Sequence, residues 1–282
     1  MFRLILAVAW VAIAVPATLP GLAYYATPLQ ERPFVPGHGL FASSAVVGHG
    51  FGVAGAGMMI IGVAGYALRK RVLALGRLGK LRRWLQVHIF LCTLGPYLVL
   101  LHTTLRFGGL VAIAFWSMVL VVASGVFGRY VYVRIPKTIQ GHFLTLEALE
   151  ARREEAGERI RARFGLGEGV VDRLLENARP PRPKGAFHAL LLALRWDVAH
   201  RRGKRQLEGI LDGIGESPGT RKELARLLQE EGRRGLQVAL LHPFQRLFRY
   251  WHVFHLPLAI VMFLILGIHV TVAILFGYVW VL

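Results

Sequence analysis

Five apolar runs, near residues 4 to 24, 44 to 68, 84 to 105, 110 to 133 and 251 to 280, are each long enough to cross the hydrocarbon of a bilayer, which takes about 20 helical residues. Backbone polar groups in lipid must be satisfied within the segment, so such runs fold as helices. The expected fold is an all-α integral membrane protein, a five-span helical bundle with a helical cytoplasmic insertion. Residues 1–133 would carry spans 1 to 4, residues 134–250 a basic helical cytoplasmic segment, and residues 251–282 span 5. A chain that is 55% hydrophobic with a mean hydropathy of +0.49 is too apolar for an ordinary soluble domain. The first run, "MFRLILAVAWVAIAV", could equally be a secretory signal. A retained span is favoured because no small-x-small cleavage pattern follows it and because an odd number of spans fits the charges.

The net charge of +18 is distributed as the positive-inside rule demands rather than as a nucleic-acid footprint. "RKRVLALGRLGKLRR", between the second and third runs, has seven basic residues and no acid, and belongs in the cytoplasm. The link from the third to the fourth run is "RFGG", and Tyr25 to Ser43 holds only Glu31 and Arg32, so both belong outside. The N-terminus is then cytoplasmic and the C-terminus outside, in a plasma (bacterial inner) membrane. All other acidic residues lie in the basic stretch from Arg134 to Tyr250. There "LEALEARREEAGERIRARF" reads as a charged helix with Glu and Arg at pairing distances. Thr220 and Glu223 are in capping-box register. "AFHALLLALRW" is too short to span and belongs in an interface or a core. The "RPPRP" and "SPG" turns break the segment into pieces. It carries no phosphate-binding glycine loop and reads as a docking or packing domain.

Histidines in the apolar runs are the feature that calls for chemistry, since a polar ring in hydrocarbon is costly and is a functional candidate by default. His88 and His102 lie 14 residues apart in the third run, and His255 and His269 14 apart in the fifth. At about 100° per residue, 14 steps return to within about 40° of the same face after a rise of about 21 Å, so each pair forms one stripe. His252, 17 residues from His269, is turned roughly 100° away. The charge pattern makes the two runs parallel, which sets His88 level with His255 and His102 level with His269. Two bis-histidine sites, one above the other, suit two haems as an electron path through the membrane. Cys92 is the only cysteine, so thioether attachment, disulfides and four-cysteine iron-sulfur clusters are excluded and the haems would be b-type. Interhelical hydrogen bonding is the plain alternative, but does not predict equal spacings on two runs. A zinc or copper pair would lack further ligands, because no Asp, Glu or second Cys lies in these runs.

Gly95 is midway between His88 and His102, where a missing side chain would let a macrocycle lie against the backbone; the alternative is a helix kink at "GP". Haem propionates need cationic partners, and Arg106, one turn past His102, and Arg129 near the inner site are candidates, with Arg82, Arg83, Arg134, Arg246 and Arg249 also at the inner level. His38 and His49 could exchange protons with a quinol, although "GHG" also suits tight packing of small residues. His142, His188, His200 and His242 are read as solvated or packing residues.

At "LRRWLQVHIFLCTLGPYLVLLHTTLRFGG" and "WHVFHLPLAIVMFLILGIHV" the chain resembles the ferric reductase-like and NADPH oxidase membrane domains, in which paired histidines on the third and fifth spans hold two stacked haems. Cytochrome b of quinol-oxidising complexes uses similar spacings. The resemblance implies the haem core, from the second run onward without the insertion. It departs from the oxidases in ending at Leu282 without a sixth span or a flavin and nicotinamide domain, and from respiratory cytochrome b in lacking Pro-Glu-Trp-Tyr. The expected function is a membrane di-haem b-type cytochrome, an electron-transfer subunit of an oxidoreductase complex. Its expected partners are membrane lipid, quinone, an outer-face redox protein and complex subunits at the cytoplasmic segment, and not nucleic acid. The competing expectation is a non-redox scaffold or transporter with structural histidines.

Overall fold

A computed structural model of the protein describes residues 1–72, 75, 77–108, 110–135, 147, 151, 154–155, 158, 161–162, 183–195 and 218–276. Among these residues the chain is helical and contains no strand. The helices are α1 (Phe2–Thr18), α2 (Leu22–Ala26), α3 (His38–Phe41), α4 (Val46–Arg71), α5 (Leu81–His102), α6 (Leu110–Arg134), α7 (Ala186–Arg195) and α8 (Pro218–Leu275). Five described stretches are long and apolar enough to cross a membrane: Phe2–Ala26, His38–Arg71, Leu81–His102, Ala112–Arg134 and Gly235–Leu275. That composition is compatible with a multi-pass membrane protein. Most of the expected charged helix from residue 146 to 164, the "RPPRP" turn except Pro183, His142, His200 and the side chains of Thr220 and Glu223 lie outside the described residues.

The chain divides into two compact units, Met1–Gly125 with His255–Leu282, and Val126–Phe254. In the first, α4 and α5 pack antiparallel with almost no side chain between them at their crossing. A Cβ on Gly55 would lie 2.6 Å from the carbonyl oxygen of Gly95, and a Cβ on Gly95 would lie 2.6 Å from that of Gly55. Seven residues to either side, the contact changes from backbone against backbone to imidazole against backbone. His102 reaches the carbonyl of Gly48 and His88 that of Gly62. Seven residues turn a helix through almost two full turns, so 48, 55 and 62 form one stripe facing the stripe of 88, 95 and 102. Small residues are what allow two helices to approach this closely.

Around the C-terminal end of α5, Tyr24, Tyr25, Phe41 and Leu101 form a buried cluster that joins α2 and α3 to it. Farther along, α1 rests on α5 through Trp10 and Tyr97, whose ring centroids are 5.2 Å apart. In the second unit, Val131 and Ile135, Ala189 and Ala193 of α7, and Leu236, Leu240, Leu241 and Phe244 of α8 form one core. The short apolar helix at 186–195 is therefore a core element. The indole of Trp251 lies over Gly128, where a Cβ would collide with it.

Two boundaries differ from the sequence reading. The helix expected to start at Thr220 starts at Pro218, in keeping with the preference of proline for a first helical position. The boundary expected at residue 250 falls inside α8, a single helix of 58 residues. "FRYWHVF" across that point holds neither Gly nor Pro, so nothing local ends the helix.

The crossing predicts opposite outcomes for two neighbouring glycines. Gly55→Ala forces the helices apart and should cost about 1–3 kcal/mol, as overpacking does. Gly57→Ala, where a Cβ meets nothing within 4 Å, should be neutral or stabilise by up to about 1 kcal/mol through helix propensity. Thermal denaturation of the two variants in the same detergent measures the difference.

Candidate functional site

The histidines that the sequence singles out are held in a uniform way. His88 Nδ1 is 3.0 Å from the carbonyl oxygen of Gly62, and His102 Nδ1 is 2.9 Å from that of Gly48. A carbonyl oxygen can only accept, so in each ring the proton is on Nδ1. His255 Nδ1 is 2.7 Å from Ser124 Oγ, and that hydroxyl donates its one proton to the carbonyl of Val121 at 2.8 Å. Ser124 must then accept, and the proton of His255 is also on Nδ1. In all three rings Nε2 is left as a bare lone pair, the form in which imidazole binds a metal, with its other nitrogen fixed by a hydrogen bond that also raises its basicity.

Glycines make room for these rings. A Cβ on Gly52 would stand 2.8 Å from the ring of His102, one on Gly125 would touch His255 Cε1 at 3.8 Å, and one on Gly62 would press on Cys92 Sγ at 3.0 Å. Tyr66 lies beside His88, with ring centroids 5.3 Å apart and planes tilted by 33°. Cys92 Sγ is 3.6 Å from His88 Nδ1, a weak contact beside the Gly62 bond.

Contacts within the first unit bring α5 and the last part of α8 into register. His102 is near enough to His269 for an electrostatic interaction between them. Gly95 abuts Met59, whose Cγ would be 3.0 Å from a Cβ at that position, and Met59 shares a buried cluster with Phe115, Met118 and Met262. Met262 is midway between His255 and His269, as Gly95 is midway between His88 and His102. With one end and the middle of each stripe at common levels, the two helices run in the same direction here. Helical rise then carries His88 and His255 about 10.5 Å beyond the middle on the same side.

His49 joins the His102 level. Its ring centroid is 6.2 Å from that of His102, with planes 75° apart, and it also interacts electrostatically with His269. His38 is instead drawn to Tyr24, whose hydroxyl is 3.3 Å from His38 Nδ1. Among the described residues no group of three or more His, Cys, Asp or Glu is placed to hold a metal ion. A porphyrin supplies four nitrogens of its own and asks the protein for only two.

Three expectations are corrected. The space beside Gly95 is filled by α4, so its missing side chain serves the helix crossing and leaves no room there for a macrocycle. Arg106 is exposed, while Arg129 belongs to the second unit, where its guanidinium lies 5.7 Å from the centre of the Tyr132 ring. The arginine built into the His102 end is Arg32, which the sequence reading used only as a charge. It is 3% exposed and donates to the carbonyls of Thr27 at 2.9 Å, Tyr25 at 2.8 Å, and Thr104. Those oxygens lie at or just past the C-terminal ends of α2 and α5, where helix dipoles are negative and a cation is welcome. Thr104 and Leu105 have φ of 51° and 61°, a left-handed turn that non-glycine residues rarely adopt. Arg32 holds that turn two residues beyond His102. Neither its partners nor the left-handed turn leaves a signal in local sequence.

The chain matches no family model, no curated protein and no solved structure.

Proposed function

We propose that this protein is a multi-pass membrane cytochrome carrying two b-type haems, one held by His88 and His255 and the other by His102 and His269, and that it passes electrons across the bilayer. The observation that carries this reading is the tautomer of three of the four rings: each is fixed with Nδ1 protonated and Nε2 free to ligate. Histidines that served only to join helices would be expected to spend Nε2 on a neighbouring helix as well. Large apolar side chains exposed along the long helices, such as Val53, Ile60 and Ile61 on α4 and Ile260, Leu264 and Ile268 on α8, support insertion in lipid.

Haem b would supply one-electron chemistry that no side chain here can. The chain's own residues position it. The α4 carbonyls aim His88 and His102, Ser124 aims His255, and the methionine-rich cluster of Met59, Met118 and Met262 fills the level between with apolar, polarisable groups. The donor is quinol or a cytoplasmic reductant and the acceptor an outer-face redox protein. The basic loop between α4 and α5 would lie in the cytoplasm of a bacterial inner membrane, and the second unit would bind the other subunits of a complex.

Absorption spectroscopy tests the reading. The purified protein should show reduced-minus-oxidised bands of bis-histidine haem at about two equivalents per chain, and a colourless preparation would leave a scaffold or transporter as the better account. His88→Ala and His255→Ala should each remove one haem, and His102→Ala and His269→Ala the other. Ser124→Ala removes the acceptor from His255 alone. It should keep both haems and raise the midpoint potential of only the one that His255→Ala abolishes, since a less basic imidazole stabilises ferric iron less. A uniform shift of both potentials, or none, would sever Ser124 from the site.

A further inference from the structure

A second recess lies between α1 and α5, and none of the histidines lines it. It is a groove of about 340 Å3 whose walls include Trp10, Val11, Val15, Thr18 and Tyr97. Val11 and Val15 are exposed on the apolar face of α1, so the groove opens where a membrane protein meets hydrocarbon. Trp10 and Tyr97 give it an aromatic wall, with ring planes 50° apart. Tyr97 is five residues before His102, about 7.5 Å along the helix axis.

The polar atoms of the groove carry a definite hydrogen-bond polarity. Thr18 Oγ1 donates its single proton to the carbonyl of Ala14 at 2.7 Å. In the hydrogen bond between Thr18 and Tyr97 the phenol must therefore be the donor. The Tyr97 oxygen keeps an acceptor lone pair with no donor assigned to it. Tyr25 is near enough to Tyr97 to interact electrostatically, but its buried hydroxyl hydrogen-bonds to nothing among the described residues, Tyr97 included. An acceptor in an apolar setting calls for a hydroxyl donor.

We infer that this groove binds the headgroup of a quinol, which rests on the reading of the chain as a quinol-linked cytochrome. A quinol arrives through lipid by its hydrocarbon tail, has a flat ring for the wall of Trp10 and Tyr97, and brings a hydroxyl to donate to the Tyr97 oxygen. The matching quinone has acceptors only and meets Tyr97 acceptor to acceptor while the phenol remains bonded to Thr18. A lipid acyl chain fits the walls but leaves the phenol oxygen unanswered. The site thus selects the reduced form.

The test uses the full chain in zwitterionic lipid nanodiscs, titrated anaerobically with a short-chain benzoquinol and separately with its quinone. Quenching of Trp10 emission is read, with Trp10→Phe identifying that signal. Quinol should bind at least tenfold more tightly than quinone. Tyr97→Phe should erase that preference by weakening quinol alone, and Val15→Trp, a filling substitution at a half-exposed position, should block both. Equal affinities for the two forms in the native chain, or quinol binding indifferent to both variants, would overturn the site and leave the groove to lipid. Haem content measured on the same samples separates the two proposals. A haem-free protein that binds quinol keeps the groove and loses the cytochrome, whereas a haem-loaded protein that ignores quinol loses only the groove.

Discussion

The contact between the backbones of Gly55 and Gly95 is the constraint on which the rest of the first unit depends. Without side chains at that point, α4 and α5 approach until each carbonyl nears the other glycine's Cα. This proximity puts α4 carbonyls within reach of rings on α5 one heptad away in each direction. A helix carbonyl normally has its intrahelical partner, yet its second lone pair can take a further donor if that donor comes close enough. Bulkier residues at the crossing would move both carbonyls out of range. The glycines thus act on the histidines through the distance between two helix axes.

The repeat of seven explains why two rings can be served by one crossing. Residues seven apart lie about 20° from each other around the helix and about 10.5 Å along it, so a stripe stays in the interface for two heptads of nearly straight helix. Had His88 and His102 been separated by 12 or 16 residues, one of them would have turned away from α4. The same argument applies to His255, Met262 and His269 on α8, whose middle member meets Met59 within one cluster. Two helices that share their partner at the middle and at one end have no freedom left at the other.

The helices and the histidine stripes were legible in the sequence because each depends on local period alone: run length for the spans, and 14 residues for the stripes. What holds the rings was not. Gly48, Gly62 and Ser124 are 54, 26 and 131 residues from the histidines they serve, and no local pattern pairs residues over such separations in a chain met alone. Gly95 shows the same limit, since a missing side chain says that something comes close without saying whether it is a ligand or another backbone. Arg32 was passed over for the opposite reason. Beside Glu31 in a segment rich in Pro and Gly it looks like an exposed loop charge, and its burial follows from the ends of two helices converging on it.

The two levels differ in what the sequence can change. For His88 and His102 the acceptors are main-chain oxygens, which no substitution removes, and only the spacing set by the glycines can weaken those bonds. For His255 the acceptor is a side chain, and replacing Ser124 alters that ring without moving a helix. The surroundings differ as well: His88 has Tyr66 and Cys92 beside it, whereas His102 has His49, a third imidazole that also reaches His269. Two metal centres of identical ligation placed in these settings would not be electrically equivalent. The His88 and His255 level is adjustable through one hydroxyl, and the His102 and His269 level through the neighbouring imidazole and the turn held by Arg32. A pair of cofactors with a gradient between them requires this kind of asymmetry, and here it arises from the elements that pack against α5 and α8 while the ligating residues stay the same.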